Sequence, residues 1–214
     1  MILEYSETEP ENNLPPEKLV IFLHGYGSHK DDLIELAQYF TEALPNAHFI
    51  SPNAPEDCEG GFGGYQWFSL QSMYTDKIFE DIQKANQILN SFIDEQLERL
   101  NLQNKDLILI GFSQGATMAM HAGLRREESI AGIISFSGKI GDTAETLEQN
   151  LESKTKILLT HGTSDTVLPY ESLIEAERIL HQLDIPFESF TATEMDHSIN
   201  QECIEKAQEF FSTC

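Results

Sequence analysis

LILIGFSQGATMAM, residues 107–120, is the stretch that decides the fold, because in it a buried strand turns directly into a helix. The apolar run Leu107–Ile110 is typical of a strand covered on both faces. Gly111 and Gly115 flank Ser113 and allow a very tight turn. Such a turn exposes the serine hydroxyl beside a helix N-terminus, where negative charge is favoured. GxSxG also occurs by chance, but its place between strand and helix predicts a nucleophilic Ser113.

The composition is that of one acidic globular domain. A chain of 214 residues is long enough for a substantial core and short for two full domains. Thirteen Lys and Arg against 36 Asp and Glu give a net charge of −23, and the acidic residues are spread along the chain. This charge disfavours nucleic-acid phosphates and anionic membrane surfaces as partners. It also predicts an exterior that repels acidic substrates.

Cysteine content and the N-terminus predict the compartment. Cys58, Cys203 and Cys214 are an odd number without metal-type spacing, so neither a disulfide framework nor a metal site is expected. The first residues lack the basic and apolar regions of a secretory signal. No apolar stretch approaches the ~20 residues that span a bilayer. We therefore expect a cytoplasmic protein without a membrane span.

Predicted strands and helices alternate along the chain, which favours an α/β fold with a mostly parallel central sheet and helices on both faces. We assign residues 18–214 to a single domain of this class. Residues 1–17 are polar and proline-rich, and they are expected to form either a loose lead-in or one edge strand around Met1–Tyr5. Because successive elements fill the chain between Ile130 and His197, no lid domain is expected.

Candidate catalytic residues follow several predicted strands. In open α/β sheets, ligands bind beyond the carboxyl ends of the strands. Ser113, Asp165 and His197 follow three such ends, in the chain order that α/β-hydrolases use for nucleophile, acid and base. A serine hydroxyl is a weak nucleophile at neutral pH, so an imidazole must accept its proton, and a carboxylate must orient that imidazole.

Other residues of the same types are interpreted as structural. His24 and His161 also lie at strand ends, but each precedes a glycine in a turn. Asp142 is an alternative acid, although its loop carries no matching motif. Cys58 shows no feature that would activate its thiol.

The motifs together resemble the carboxylesterase/acyl-protein thioesterase/lysophospholipase family of α/β-hydrolases, in the form without a lid domain. They occur in the family's order from about residue 18 to 211, and their combination is far more specific than GxSxG alone. The matching segments are Phe22–Gly27, Pro52–Pro55, Trp67-Phe68, Gly111–Gly115, Phe136–Gly138, His161–Asp165 and Asp196–Ile199.

The resemblance implies that Ser113 is the nucleophile, Asp165 the orienting acid and His197 the base. It implies an oxyanion hole made of the backbone N–H groups of Tyr26 and Gln114, whose side chains are then expected to matter less.

Two positions depart from the family pattern. Ser69 stands after Trp-Phe where an acidic residue is usual, which bears on how the aromatic loop is anchored. Asp196 stands before the histidine where glycine is usual, and a close carboxylate there would raise the proton affinity of the base.

A long loop from Glu56 to about Tyr74 is rich in glycine and aromatic residues, and loops of this length are usually functional or disordered. Its large side chains either line an acyl pocket or attach the loop to the core. They are Phe62, Tyr65, Trp67, Phe68 and Met73. We predict Trp67 and Phe68 as substrate-binding residues, and Leu168 as a third wall residue or a packing residue.

The expected function is hydrolysis of carboxylic esters or thioesters by a serine hydrolase that forms an acyl-enzyme, with no cofactor or metal. The expected substrate is a small ester or an acylated thioester, with an acylated protein as a further candidate. The alternatives are a peptidase or lactone hydrolase on the same fold, and a non-catalytic hydrolase-like binding protein. The resembled family often forms dimers, so a homodimer is also considered.

Overall fold

The computed structural model describes residues 3–10, 14–59, 61, 63–71 and 77–214. The strands are β1 Tyr5–Thr8, β2 Lys18–Leu23, β3 Ala47–Pro52, β4 Glu56–Asp57, β5 Tyr65–Gln66, β6 Leu107–Phe112, β7 Gly132–Phe136, β8 Ile157–Gly162 and β9 Phe187–Ala192. The α-helices are α1 Lys30–Leu33, α2 Ala37–Phe40, α3 Ile78–Leu100, α4 Gln114–Gly123, α5 Ala144–Gln149, α6 Glu171–Gln182 and α7 Gln201–Phe211. Short 3₁₀ segments cover Ile34–Leu36 and Asn104–Asp106.

The central sheet confirms the predicted α/β class. In the described part of the chain it has seven strands in the order β1-β3-β2-β6-β7-β8-β9. Neighbouring strands from β3 to β9 are parallel, and β1 alone is antiparallel to its neighbour. Strands β4 and β5 form a separate antiparallel pair inside the long aromatic loop. Parallel order brings the carboxyl ends of β6, β8 and β9 to the same edge of the sheet.

The core lies on both faces of this sheet. Along β6, Leu107 and Leu109 pack on one face, whereas Ile108 and Ile110 pack on the other, as the two-residue period of a strand requires. Helices α3, α4, α5 and α6 cover the first face, and α1, α2 and α7 cover the second. A continuous apolar run is therefore buried in full, which is why β6 reads as unbroken Leu and Ile.

The N-terminal segment contains an edge strand. Strand β1 pairs with β3, from Tyr5 opposite Pro52 to Thr8 opposite Phe49. The strand begins at Tyr5, later than the prediction around Met1–Tyr5, and Met1 itself lies outside the described residues. This segment therefore continues the sheet of residues 18–214.

The helix predicted after β2 is divided. From the sequence, apolar residues at helical spacing between Leu33 and Leu44 predict one helix capped by Asp31 or Asp32. The structure instead has helix α1, a 3₁₀ segment and α2, and neither aspartate is the cap. His29 is the N-cap, with extended backbone, and its Nδ1 accepts a hydrogen bond from the Asp31 N–H at 3.3 Å. The aspartates lie inside the first turn, where the helix dipole favours negative charge.

None of the described helices is long and apolar enough to cross a membrane. From residue 77 to the C-terminus, strands and helices follow one another through short connections, and no inserted lid domain occurs in that range.

Candidate active site

Ser113 occupies a strained turn between β6 and α4. Its backbone has φ 55° and ψ −116°, in a region that non-glycine residues rarely adopt. Its N–H donates to the Phe136 carbonyl at 2.9 Å, which ties the turn to the end of β7. Two residues on, a Cβ at Gly115 would lie 1.9 Å from the Leu23 carbonyl oxygen, so only glycine fits there. The main chain of α4 therefore rests directly on the end of β2.

The three side chains predicted as a triad form one hydrogen-bonded line. His197 Nε2 lies 2.9 Å from Ser113 Oγ, and His197 Nδ1 lies 2.8 Å from Asp165 Oδ2. A carboxylate accepts only, so Nδ1 carries the proton and Nε2 is left to accept from the serine hydroxyl. The Asp165 side chain is fully buried, whereas the His197 side chain is 13% exposed.

The Asp165 carboxylate is fixed by the loop that follows it. Its Oδ1 accepts from the N–H groups of Val167 and Leu168 at 2.9 and 2.8 Å. His161 Nε2 bonds the Leu168 carbonyl at 2.9 Å and lies 3.3 Å from Asp165 Oδ2. One carboxylate oxygen thus holds the loop and the other faces His197.

Asp196 joins the loops that follow β8 and β9. Its Oδ1 accepts from the His197 N–H at 2.8 Å, and from both the N–H and the hydroxyl of Thr166 at 2.9 Å. The hydrogen bond from the Thr166 N–H, followed by that from His197, lowers the pKa of this carboxyl. Through these hydrogen bonds to the main chain of His197 and to Thr166, Asp196 joins the two loops.

A pocket of about 400 Å³ opens at Ser113 and His197. Its apolar wall consists of Phe68, Leu70, Phe112, Val167 and Leu168. Its other lining residues are Gly25, Tyr26, Gln114, Thr117 and Lys139. The predicted residues Tyr26, Gln114, Phe68 and Leu168 are therefore all at this pocket. Gln114 is the first residue of α4, so its N–H has no partner within the helix.

Trp67 does not line the pocket, and its prediction as a substrate-binding residue is corrected. Its side chain is 1% exposed, and its Nε1–H donates to the His24 carbonyl at 3.0 Å. The His24 ring lies 5.8 Å from the indole, and its Nε2 accepts from the Ala54 N–H at 3.0 Å. Trp67 therefore attaches the aromatic loop to the core, while the adjacent Phe68 faces the pocket.

The Gln114 side chain also anchors this loop, although it was expected to matter less than the backbone of this residue. Its Oε1 accepts from the Trp67 N–H at 2.8 Å, and its Nε2 donates to the Phe68 carbonyl at 2.7 Å. Ser69, which replaces the usual acidic residue, accepts from the Gln71 N–H at 3.1 Å. The loop is thus held from α4, one residue after the nucleophile.

The remaining candidates from the sequence are Phe62, Tyr65, Met73 and Asp142. Phe62 and Met73 lie outside the described residues, and Tyr65 belongs to β5. Asp142, the rival acid, bonds His121 and Arg125 and does not line the pocket.

The sequence reasoning missed some pocket residues. They are Leu70, Phe112, Thr117, Lys139 and Val167. For two of them the sequence contained a signal that could have placed them near the site. Thr117 lies one helical turn after Ser113, and Lys139 closely follows the end of a strand.

Comparisons with known proteins identify the family to which the chain belongs. The phospholipase/carboxylesterase family profile matches residues 4–214. An acyl-protein thioesterase 1 from Kluyveromyces lactis is 28% identical over 213 residues, which cover 92% of each chain. The esterase YpfH of Escherichia coli is 29% identical over 172 residues, covering 78% of this chain and 69% of its own.

The crystal structure of esterase PE8 superposes with a TM-score of 0.92 at 34% identity, covering 99% of both chains. Since the family match spans nearly the whole sequence, this chain belongs to the phospholipase/carboxylesterase family, whose members are ester-cleaving hydrolases.

Proposed function

We propose that the protein hydrolyses carboxylic esters and thioesters through an acyl-enzyme formed on Ser113. The observation that carries this proposal is the line of hydrogen bonds from Asp165 through His197 to Ser113, which ends in an apolar pocket. A buried carboxylate, an imidazole and a hydroxyl in this order supply the parts that serine acyl transfer needs.

In the acylation step, His197 Nε2 accepts the proton of Ser113 Oγ as that oxygen attacks the substrate carbonyl. Asp165 keeps the proton on Nδ1 and stabilises the imidazolium that forms. The imidazolium then protonates the leaving alkoxide or thiolate, and the acyl group stays on the serine oxygen.

The negative charge of the tetrahedral intermediate needs donors that are already in position. The backbone N–H groups of Tyr26 and Gln114 are proposed for this role, since both residues line the pocket beside Ser113. Gln114 opens α4, so the positive end of the helix dipole also favours the oxyanion.

In the second step, water replaces the leaving group. His197 accepts a proton from this water as it attacks the acyl carbonyl, and returns the proton to Ser113 Oγ as the carboxylic acid departs. The enzyme then regains its starting protonation.

The proposed substrates are short to medium acyl esters and acyl thioesters. Each buried methylene contributes at most about 0.8 kcal/mol, so a pocket of this size distinguishes acyl lengths gradually. An acylated protein is a further proposed substrate, supported by relatives named acyl-protein thioesterase. A cytoplasmic location and a homodimer complete the proposal, and they rest on the sequence expectations alone.

The test measures covalent labelling and turnover together. Wild type, Ser113→Ala and the matched control Ser91→Ala, an exposed serine of α3, are incubated with a fluorophosphonate probe and assayed on 4-nitrophenyl butyrate and a butyryl thioester. We expect wild type and Ser91→Ala to be labelled and active, and Ser113→Ala to be neither. Labelling or near wild-type turnover by Ser113→Ala would refute the proposal. An unlabelled, inactive wild type would favour the binding-protein alternative.

A further inference from the structure

A lysine lines the proposed substrate pocket. Lys139 follows β7 through Ser137-Gly138 and lies on the pocket wall with Thr117. The Thr117 hydroxyl donates to the Lys139 carbonyl at 3.0 Å, and the Thr117 N–H donates to the Ser113 carbonyl at 3.2 Å. Thr117 is four residues beyond the nucleophile, an axial rise of about 6 Å along a helix. The lysine backbone is thus fixed close to the reacting serine.

Among the described residues, no carboxylate forms an ion pair with Lys139. Most other cations of this acidic chain do have one, such as Lys30 with Asp31, Arg99 with Glu7 and Lys156 with Glu188. Burial lowers the pKa of Lys139. Within the part of the chain that the structure describes, this partly desolvated ammonium therefore has no anion paired with it.

The remaining pocket wall is mostly apolar. His197 is the other basic side chain that lines the pocket. Its partner Asp165 is fully buried behind it. An anionic group on a bound substrate would find one cationic side chain within the pocket, although the protein as a whole carries −23. Lys139 thus has a charge opposite in sign to the net charge of the protein.

We propose that Lys139 makes this site select esters or thioesters that carry a carboxylate on the acyl or leaving-group side. This inference rests on the proposed function, because it concerns substrates of the same site. The ammonium pairs with the substrate carboxylate while Ser113 attacks the carbonyl. Lys139 takes no part in proton transfer, so it is a specificity residue.

The test compares anionic esters with neutral analogues. On the acyl side, the pair is mono-4-nitrophenyl glutarate and 4-nitrophenyl pentanoate. On the leaving-group side, it is 4-butyryloxybenzoate and its methyl ester. The enzymes are wild type, Lys139→Gln, Lys139→Glu and Lys139→Arg. Lys154→Gln is the matched control, because Lys154 is exposed and does not line the pocket. Spontaneous hydrolysis is subtracted with Ser113→Ala protein.

We expect Lys139→Gln to lower kcat/KM by about tenfold for the anionic member of one pair. This fold-change corresponds to the free energy of one charge-assisted hydrogen bond. The neutral member should change by less than about threefold, Lys139→Glu should lower the anionic rate further, and Lys139→Arg should retain the preference. Added salt should weaken the wild-type preference. The pair that responds identifies the half of the substrate that carries the charge. Lys154→Gln should behave as wild type.

Equal changes for anionic and neutral members of both pairs would overturn the proposal and assign Lys139 to packing. Calorimetric binding of glutarate to wild type and Lys139→Gln separates this result from a failure of the proposed function. If wild type turns over no ester, weaker glutarate binding to Lys139→Gln still supports the carboxylate site, and equal binding overturns it.

Discussion

Two histidine–aspartate pairs in this molecule consist of the same chemical groups but lie in different surroundings. His197 Nδ1 lies 2.8 Å from Asp165, and His121 Nδ1 lies 3.3 Å from Asp142. The first imidazole bonds Ser113 through its other nitrogen and borders a pocket. The second is fully buried, and its Nε2 has no hydrogen-bond partner in the described part of the chain. A histidine–aspartate contact alone therefore does not identify a catalytic site; a nucleophile and a cavity must complete it.

The second pair is an ion pair with a neutral imidazole attached. Arg125 donates to Asp142 at 3.0 Å, and both side chains are almost completely buried. Burial would raise the pKa of Asp142, but the hydrogen bond with His121 and the charge of Arg125 outweigh it and lower the pKa. Burial lowers the pKa of His121. The group thus attaches the loop after β7 to α4.

The largest expected effect is on activity, which should depend on Asp165 far more than on Asp142. Asp165→Asn should lower kcat on 4-nitrophenyl butyrate by roughly 10³-fold or more, because the imidazole loses its tautomer and orientation. Asp142→Asn should keep kcat per folded molecule within a few-fold. Double variants of Ser113, Asp165 and His197 should lose little beyond each single variant, since the proposed mechanism uses these residues as one unit. Comparable kcat values for Asp165→Asn and Asp142→Asn would show that the two aspartates do not differ in their effect on activity.

The next largest effect concerns stability, and here the change is expected at Asp142 instead of Asp165. Asp142→Ala leaves the buried Arg125 charge unpaired and should lower the free energy of unfolding by about 3 kcal/mol. Replacing the pair by Asp142→Leu with Arg125→Met should restore most of this loss, because apolar groups need no partner. Urea unfolding of the three proteins measures both changes. An Asp142→Ala protein as stable as wild type would show that the ion pair is not structural.

A smaller effect is the pH dependence of stability. The pKa of His121 is lowered in the folded state, so the unfolded chain binds the proton first as pH falls. Its contribution is therefore full above the unfolded value of ~6.5 and decreases below it. His121→Gln should reduce the loss of stability between pH 7.5 and 5.5 by about 1 kcal/mol. His181→Gln, at an exposed histidine of α6, is the control and should leave that loss unchanged.

The smallest expected effect on activity comes from the pocket that only the first pair borders. Phe68→Ala should lower kcat/KM for 4-nitrophenyl octanoate about fivefold more than for the acetate, because the longer chain loses apolar contact. Trp67→Ala should instead lower the free energy of unfolding by about 3–5 kcal/mol, as deletion of a buried aromatic does. If Phe68→Ala slowed both esters equally, Phe68 too would be a packing residue.

Much of the fold followed from the sequence because the parallel strands are buried on both faces and appear as unbroken apolar runs. The order of Ser113, Asp165 and His197 was readable because each follows a strand end. Sequence spacing does not say which way neighbouring side chains face, so Trp67 and Phe68 were given the same role. The His29 cap was missed because Asp31 and Asp32 are the commoner capping residues. Lys139 was missed although it closely follows the end of a strand, because its contact with the pocket also depends on how the loop after β7 folds.

The close main-chain contact at Gly115 has a consequence for how this enzyme can diverge. The backbone that carries Ser113 rests on the Leu23 carbonyl, with no side chain between them. The loop of His197 is seated in the same way, since a Cβ at Gly162 would lie 2.1 Å from the Met195 carbonyl oxygen. Positions set by backbone against backbone do not shift when wall residues such as Phe68 or Leu168 are exchanged. Substrate range can therefore drift across a lineage while the atoms of the proposed triad keep their places.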